Sequence, residues 1–279
     1  MSSLFVNELT VIDFSYLDAT RGVVGESWIL DVTLDGDLND EGMVFDFGLV
    51  KKQIKLAVDE GLDHKFLIPS KLPGLDIIQD DEDFHFKFQG NNGLTLEYKS
   101  PREAIYILDS DQLDINRVSE VIRKHLMTIV PDNVTQIKID LYPEDIRGPF
   151  YHYSHGLKKH QGDCQRICHG HRSPIEIYKD GLRAEDIEDD ISQLWQDIYL
   201  ITKEDLIAES EQLYVLGYEA EQGYFELSIS KDRCYLFDTD TTVELIADHL
   251  AHRIQNEHPG ASIEVRAYEG FNKGAIGVS

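Results

Sequence analysis

Basic side chains are scarce in this chain. Its 279 residues include 26 lysines and arginines against 52 aspartates and glutamates, a formal net charge of −26 at pH 7. That balance argues against a nucleic-acid partner, because neutralising phosphates needs a basic face. Cysteine is scarce too: Cys164, Cys168 and Cys234 are the only three. An odd, small number in a chain of this length is no disulfide framework and points to a reducing, cytoplasmic compartment. Long apolar runs are missing. No stretch approaches about 18 consecutive apolar residues, so no membrane span is expected. The opening residues also lack the basic region and apolar run of a signal peptide. Hydrophobic residues still make up 42% of the chain, which excludes disorder and supports a core for one large domain or two ordinary ones.

Self-comparison finds an internal repeat. Ile105-Tyr106-Ile107-Leu108-Asp109-Ser110-Asp111 parallels Cys234-Tyr235-Leu236-Phe237-Asp238-Thr239-Asp240. Glu120 to Leu126 parallels Glu244 to Leu250, and Ile137 to Tyr142 parallels Ile263 to Tyr268. The matches keep their order, so two homologous halves are expected, meeting near Pro143 to Pro149.

In the first half, Trp28 to Leu34 alternates like a strand. Phe47, Val50, Ile54 and Val58 recur at helical spacing behind a capping Asp46. Thr95–Tyr98 and Ile105–Leu108 read as strands joined by a turn. Val118, Val121, Ile122 and Leu126 form a helix face, and Ile137–Leu141 a closing strand. The second half repeats the plan: a strand at Ser173–Tyr178, a hairpin across Tyr214–Phe237, a helix from Thr242 to Gln255 and a strand at Ser262–Tyr268. Its acidic stretch from Arg183 to Glu211 reads as helix with a loop. The expected class is α+β, an antiparallel sheet with helices on one face.

Chemistry concentrates between Tyr151 and His171, which holds five of the eleven histidines. On an extended segment His169 and His171 point to the same side, so both imidazoles can grip one metal. His155 on a neighbouring strand makes a third ligand. Three imidazoles leave a position open, as in catalytic zinc; copper, iron and nickel suit the same ligands. A surface histidine patch and a closed structural site using a cysteine are the competing readings. Lys158, Lys159, Arg166 and Arg172 form a local basic cluster that could receive an anionic group or be an ordinary solvated loop.

These residues resemble the 6-pyruvoyl- and 6-carboxy-tetrahydropterin synthase family. Its Phe-x-x-x-His-x-Leu and Cys before His-Gly-His are met by Tyr151-x-x-x-His155-x-Leu157, with Tyr for Phe, and by Cys164 with His169-Gly170-His171. Its Gly-Met-Val-x-Asp-Phe and Leu-Asp-His occur in the other half, as Gly42 to Phe47 and Leu62-Asp63-His64. Thr242-Val243-Glu244 and Tyr268-Glu269-Gly270 match two further motifs. The first half departs from the pattern: Val24-Gly25-Glu26 stands where His-Gly-His would be, and Tyr16 about where His155 would be. Trp195 to Tyr199 is only a faint echo of the Gly-Met-Val motif in the second half.

The resemblance implies two tandem T-fold units that assemble into a β-barrel homo-oligomer. Residues 1–145 would lack the zinc histidines but carry Asp63 and His64. Residues 146–279 would carry zinc on His155, His169 and His171. It further implies that Cys164 is the proton-transferring base, with Cys168 as its rival, and that Asp63 and His64 activate it. Glu269 would anchor the pterin substrate, aided by Thr242 and Glu244. The expected function is 6-carboxy-tetrahydropterin synthase, a lyase of the route to deazapurine nucleosides such as queuosine. A 6-pyruvoyl product, a pterin-binding pseudoenzyme and a zinc-holding interaction protein are the alternatives.

Overall fold

A computed structural model describes residues 1–279. The chain is α+β, with 18 strands and four α-helices. No helix is long and apolar enough to cross a membrane. Two compact units are built from alternating stretches of the chain. One takes Met1–Ile12, Ser27–Asp63 and Asp114–Glu144; the other takes Asp13–Glu26, His64–Leu113 and Asp145–Ser279.

The smaller unit carries α1 (Phe47–Gly61) and α2 (Ile115–Leu126). Asp46 caps α1 by accepting from the Leu49 N–H at 3.0 Å, and Asp114 caps α2 through the Asn116 N–H. Such caps each contribute about 1 kcal/mol. Val50, Ile54 and Val58 are buried on α1 as the spacing predicts, but Phe47, at the first turn, is exposed. Val118, Ile122 and Leu126 are the buried stripe of α2, with Val121 at its margin. α2 packs on the strand Val134–Pro143, which runs antiparallel to the Ser27–Gly36 part of the strand Gly22–Gly36, pairing Leu30 with Leu141 and Leu34 with Ile137.

The larger unit holds two sheets that matter for chemistry. In one, the strands lie in the order Cys234–Phe237, Ile198–Thr202, Phe150–His155, His169–Lys179, Ile263–Tyr268, Gly274–Val278. The last four pair antiparallel, while Ile198–Thr202 runs parallel to both its neighbours. Because side chains alternate across a strand, Tyr151, Tyr153 and His155 share a face. Their register partners Ser173, His171 and His169 lie on it too. Further along this face Ile175, Ile177 and Val265 pack with Trp195, Ile246, Leu250 and Ile254 from the region of α3 (Glu185–Leu194) and α4 (Val243–Glu257). The histidines therefore occupy one end of a face that is otherwise apolar core.

The second sheet joins hairpins of both halves in the order Leu206–Glu209, Leu213–Ala220, Gly223–Ser230, Thr95–Pro101, Asp83–Gln89, Leu75–Asp80. Its central pairing sets Leu227 against Tyr98, and Phe84, Phe86 and Phe225 fill its core.

Two sequence expectations are corrected. The hairpin after Tyr214 ends at Ser230: Lys231–Arg233 form a 3-10 turn, and Cys234–Phe237 leaves to pair parallel with Ile198–Thr202. The Arg183–Glu211 stretch holds not only α3 but two strands, Ile198–Thr202 and Leu206–Glu209. Ile198–Thr202 is wholly buried and so has no alternation to read, the usual signature of a parallel strand covered on both faces. The repeat itself is visible in the pairing. Phe66–Pro69 runs parallel to Ile105–Leu108, and at Ser15 and Tyr16 to the strand Ser2–Asp18, as Ile198–Thr202 does with its neighbours in the other half.

Candidate metal centre and active site

His155 ends one strand and His169 begins the next, directly opposite it in register. His171 follows two residues on. All three side chains are fully buried. Their ring centroids are 4.4 Å apart for His155 and His169, 5.6 Å for His155 and His171, and 5.7 Å for His169 and His171. One nitrogen from each lies within 4.8 Å of the other two.

Hydrogen bonds fix which nitrogens are available. His155 Nδ1 is 3.0 Å from the Thr241 carbonyl oxygen, and His169 Nδ1 is 3.0 Å from that of Arg166. A carbonyl only accepts, so Nδ1 carries the proton in both rings and Nε2 keeps its lone pair. His171 differs: neither of its nitrogens makes a hydrogen bond, and its Nδ1 lies 3.3 Å from a carboxylate oxygen of Asp13, whose other oxygen accepts from Lys273 Nζ at 2.9 Å. The Nε2 atoms of His155, His169 and His171 are buried without any hydrogen-bond partner. An unsatisfied buried polar atom costs about 1–3 kcal/mol. A cation in their midst could satisfy all three at once. Burial, followed by the neighbouring imidazoles, pushes His155 and His169 well below the usual histidine range. Those two rings are therefore neutral, the form a metal requires. Partners on the far nitrogens orient such rings for metal binding.

His64, from the first half, reaches the same place. Its ring centroid is 5.2 Å from that of His169 and 6.4 Å from that of His171. It adopts a left-handed backbone, φ 54°, and its N–H donates to the Asp13 carbonyl at 2.6 Å. That conformation is uncommon for a non-glycine residue and persists only where the surroundings hold it. Cys164 sits in the 3-10 turn Gly162–Gln165, half-buried. Donor atoms of His64, Cys164 and His169 lie within 4.8 Å of one another. Cys168 is instead locked in the apolar cluster with Ile167 and Tyr199, where burial pushes its thiol well up.

The remaining expected residues are placed as follows. Asp63 follows α1 in the chain, its N–H donating to the Val58 carbonyl at 3.3 Å. Glu269 brings a carboxylate oxygen to 3.8 Å from His171 Nε2. Thr242 caps α4, accepting from the Leu245 N–H, and Glu244 is exposed in that helix's first turn. The basic cluster is no open anion receptor. Lys158 pairs with Glu204 and Asp205, Lys159 with Glu204 and Asp240, and Arg166 with Asp163. Arg172 stacks over Phe150. Sequence reasoning missed Thr241, Asp13 and Lys273. Thr241 abuts the Thr242 motif and was within reach; Asp13 and Lys273 belong to no motif and lie 260 positions apart.

The family model described as 6-pyruvoyl tetrahydropterin synthase matches twice, over residues 15–145 and 147–277. The chain belongs to this family. It carries the family unit in tandem. Among similar proteins are two named as inferred 6-carboxy-5,6,7,8-tetrahydropterin synthases. That of Pyrococcus abyssi is 23% identical over 133 residues, covering 48% of this chain and 76% of its own. That of Pyrococcus horikoshii is 20% identical over 137 residues, with the same coverage. Among solved structures, the 6-pyruvoyl tetrahydropterin synthase of Plasmodium falciparum is 18% identical with a TM-score of 0.41, covering 50% of this chain and 90% of its own. The Plasmodium vivax protein is 16% identical with a TM-score of 0.38, covering 50% and 97%.

Proposed function

We propose that this family member is a zinc-dependent 6-carboxy-5,6,7,8-tetrahydropterin synthase acting on 7,8-dihydroneopterin triphosphate. The observation that carries the reading is the set of three buried imidazoles whose Nε2 atoms lack any hydrogen-bond partner. His155, His169 and His171 would hold the zinc, which when bound supplies Lewis acidity toward hydroxyl and carbonyl oxygens of the substrate side chain.

Cys164 takes the proton from the substrate side chain. A free thiol is mostly protonated at neutral pH, so it needs a neighbour that stabilises the thiolate. His64 is that neighbour, and Asp63 charges and orients its imidazole. Glu269 accepts two donors from the pterin's amino-pyrimidine edge, a role that its approach to His171 supports. Thr242 and Glu244, in the first turn of α4 beside Thr241, complete the substrate-binding set. The active form is a homo-oligomer, because two family units alone do not close a barrel.

The test is to incubate the zinc-loaded protein with 7,8-dihydroneopterin triphosphate and identify products by mass. A 6-carboxy product with acetaldehyde is expected, and a Cys164→Ala variant should lose it. A 6-pyruvoyl product would assign the sister reaction. One observation favours a second reading, a pterin-binding protein without turnover. The basic residues beside the imidazoles are engaged by carboxylates or an aromatic ring, leaving them poorly disposed to receive a triphosphate. That reading predicts pterin binding with no product under any metal.

A further inference from the structure

His64, Cys164 and His169 form a second set of metal donors that overlaps the first. The set offers two imidazole nitrogens and a sulfur within 4.8 Å of one another, and it shares only His169 with the three-histidine set. His169 cannot serve two cations at once. Its Nδ1 is committed to the Arg166 carbonyl, which leaves Nε2 as its one metal-binding atom. The sets differ in access and in softness. The three histidines are fully buried, whereas His64 and Cys164 are half-buried. Thiolate shifts preference toward softer cations such as cadmium, and zinc remains acceptable.

We propose that this second set is an inhibitory site for soft and borderline divalent cations. A cation there binds the Cys164 sulfur, whose proton passes to solvent, together with the His64 nitrogen. It then competes for His169 with the cation on His155 and His171. Occupancy removes the thiol and its imidazole neighbour from chemistry. The proposal rests on the three-histidine group being the primary metal site, and it concerns regulation of that same centre. It gives the protein a response to metal excess: one equivalent loads the centre, and a further equivalent silences it.

Cadmium is the probe, because cadmium–thiolate bonds give an ultraviolet charge-transfer band. The zinc-loaded full chain is titrated with cadmium while absorbance and bound metal are followed. The expected result is a thiolate band that grows with the added cadmium beyond the first metal equivalent. It disappears in Cys164→Ser and weakens in His64→Ala, while both variants keep one tightly bound zinc and an unchanged circular dichroism spectrum. Cys168 is fully buried, and Cys234, half-buried like Cys164, is controlled by a Cys234→Ser variant that should keep the band. The proposal is overturned by no band at excess cadmium, or by a band that survives in Cys164→Ser. It is equally overturned by a thiolate band that saturates with the first equivalent of metal, which would make Cys164 a fourth ligand of one closed site. The readout needs no turnover, so an inactive protein showing the expected titration would remove the enzymatic reading and leave this one standing.

Discussion

The three-histidine site, the candidate metal centre, has a counterpart in the first copy of the family unit, and the two have diverged on the same backbone. Equivalent residues of the copies face each other. The Ser15 and Ser154 hydroxyls are 2.8 Å apart in the interior, and a Cβ added to Gly170 would come within 2.6 Å of the Gly25 Cα. Such self-meeting positions mark a local two-fold axis. Across it Tyr16 corresponds to His155, Val24 to His169 and Glu26 to His171. Register also equates His64 with Asp197, since Ser15 pairs with Phe66 and Ser154 with Tyr199; both residues are left-handed, φ 54° and 56°. Where one copy gathers imidazoles with unsatisfied nitrogens, the other has the Arg21 guanidinium. Its Nη1 donates to the Tyr16 hydroxyl at 2.8 Å, and its Nε to Asp197 at 2.8 Å. That cluster satisfies itself and leaves no ligand set for a cation. The glycine between the histidines, by contrast, is kept in both copies. Gly25 and Gly170 serve the contact between the strands, not the metal.

The sharpest way to break this comparison is at those glycines. A Cβ at Gly25 would lie 1.9 Å from the Tyr153 carbonyl oxygen, and one at Gly170 2.5 Å from the same atom. Backbone cannot yield as a flexible side chain can, so Gly25→Ala should destabilise by about 3 kcal/mol or more. Gly170→Ala should cost a similar amount although it sits between two candidate metal ligands. Thermal melts of the metal-free protein test both. A loss confined to Gly170→Ala would assign the glycine to metal binding after all. Next in size is His169→Ala, which should weaken metal binding by more than about 100-fold, since even outer-shell partners are worth 10- to 100-fold. Metal analysis after dialysis should find about one equivalent in the wild type and essentially none in the variant. Glu26→Ala, at the equivalent place of His171, should leave metal content unchanged.

Arg21→Ala comes third. Asp197 is only 6% exposed at its side chain and would lose its main partner, while Arg21 itself is about one third exposed at 33%. Breaking a fully buried pair costs about 3–5 kcal/mol; discounted for solvent screening at Arg21, about 2 kcal/mol is expected by chemical denaturation. Metal affinity should not change. A variant that lost its metal would show that the Arg21 cluster also supports the other site, and the contrast between the regions would collapse.

How far the sequence alone could be read follows from the same contrast. The repeat, the helix caps at Asp46 and Thr242 and the three-histidine set were legible, because periodicity and spacing are local properties. His64 was legible only through a motif lying in the opposite half; nothing local says that it meets His169. The Arg21–Asp197 pair spans 176 positions; Arg21 stands in no motif, and Asp197 lies only in the stretch that faintly echoes the Gly-Met-Val motif. The strand Ile198–Thr202 was hidden for a different reason. A segment buried on both faces carries no alternation, and its acidic surroundings read as loop. Lys158 and Lys159 were recognisable as a cluster, but their carboxylate partners come from Glu204, Asp205 and Asp240, which folding alone brings alongside.

The smallest expected effect is a pH dependence confined to the region without metal ligands. His152 is buried, with Nδ1 2.7 Å from the Gly25 carbonyl oxygen. Burial pushes its pKa down to about 4, with Arg21 and Arg172 acting in the same direction and the Gly25 hydrogen bond and Asp197 opposing. Glu26 lies 4.0 Å from the ring. In the unfolded chain the imidazole titrates near 6.5. Between those values the unfolded state binds the extra proton and the folded state does not, so stability rises with pH through this window and falls as pH drops. From pH 7 to pH 5.5 the difference is about 1 kcal/mol for this one group. His152→Gln keeps a donor for the Gly25 carbonyl but does not titrate. Urea unfolding at the two pH values should therefore show a slope smaller by about that amount in the variant. An unchanged slope would mean that the acid sensitivity resides in other groups, such as His155, His169 and His249, which burial also pushes down.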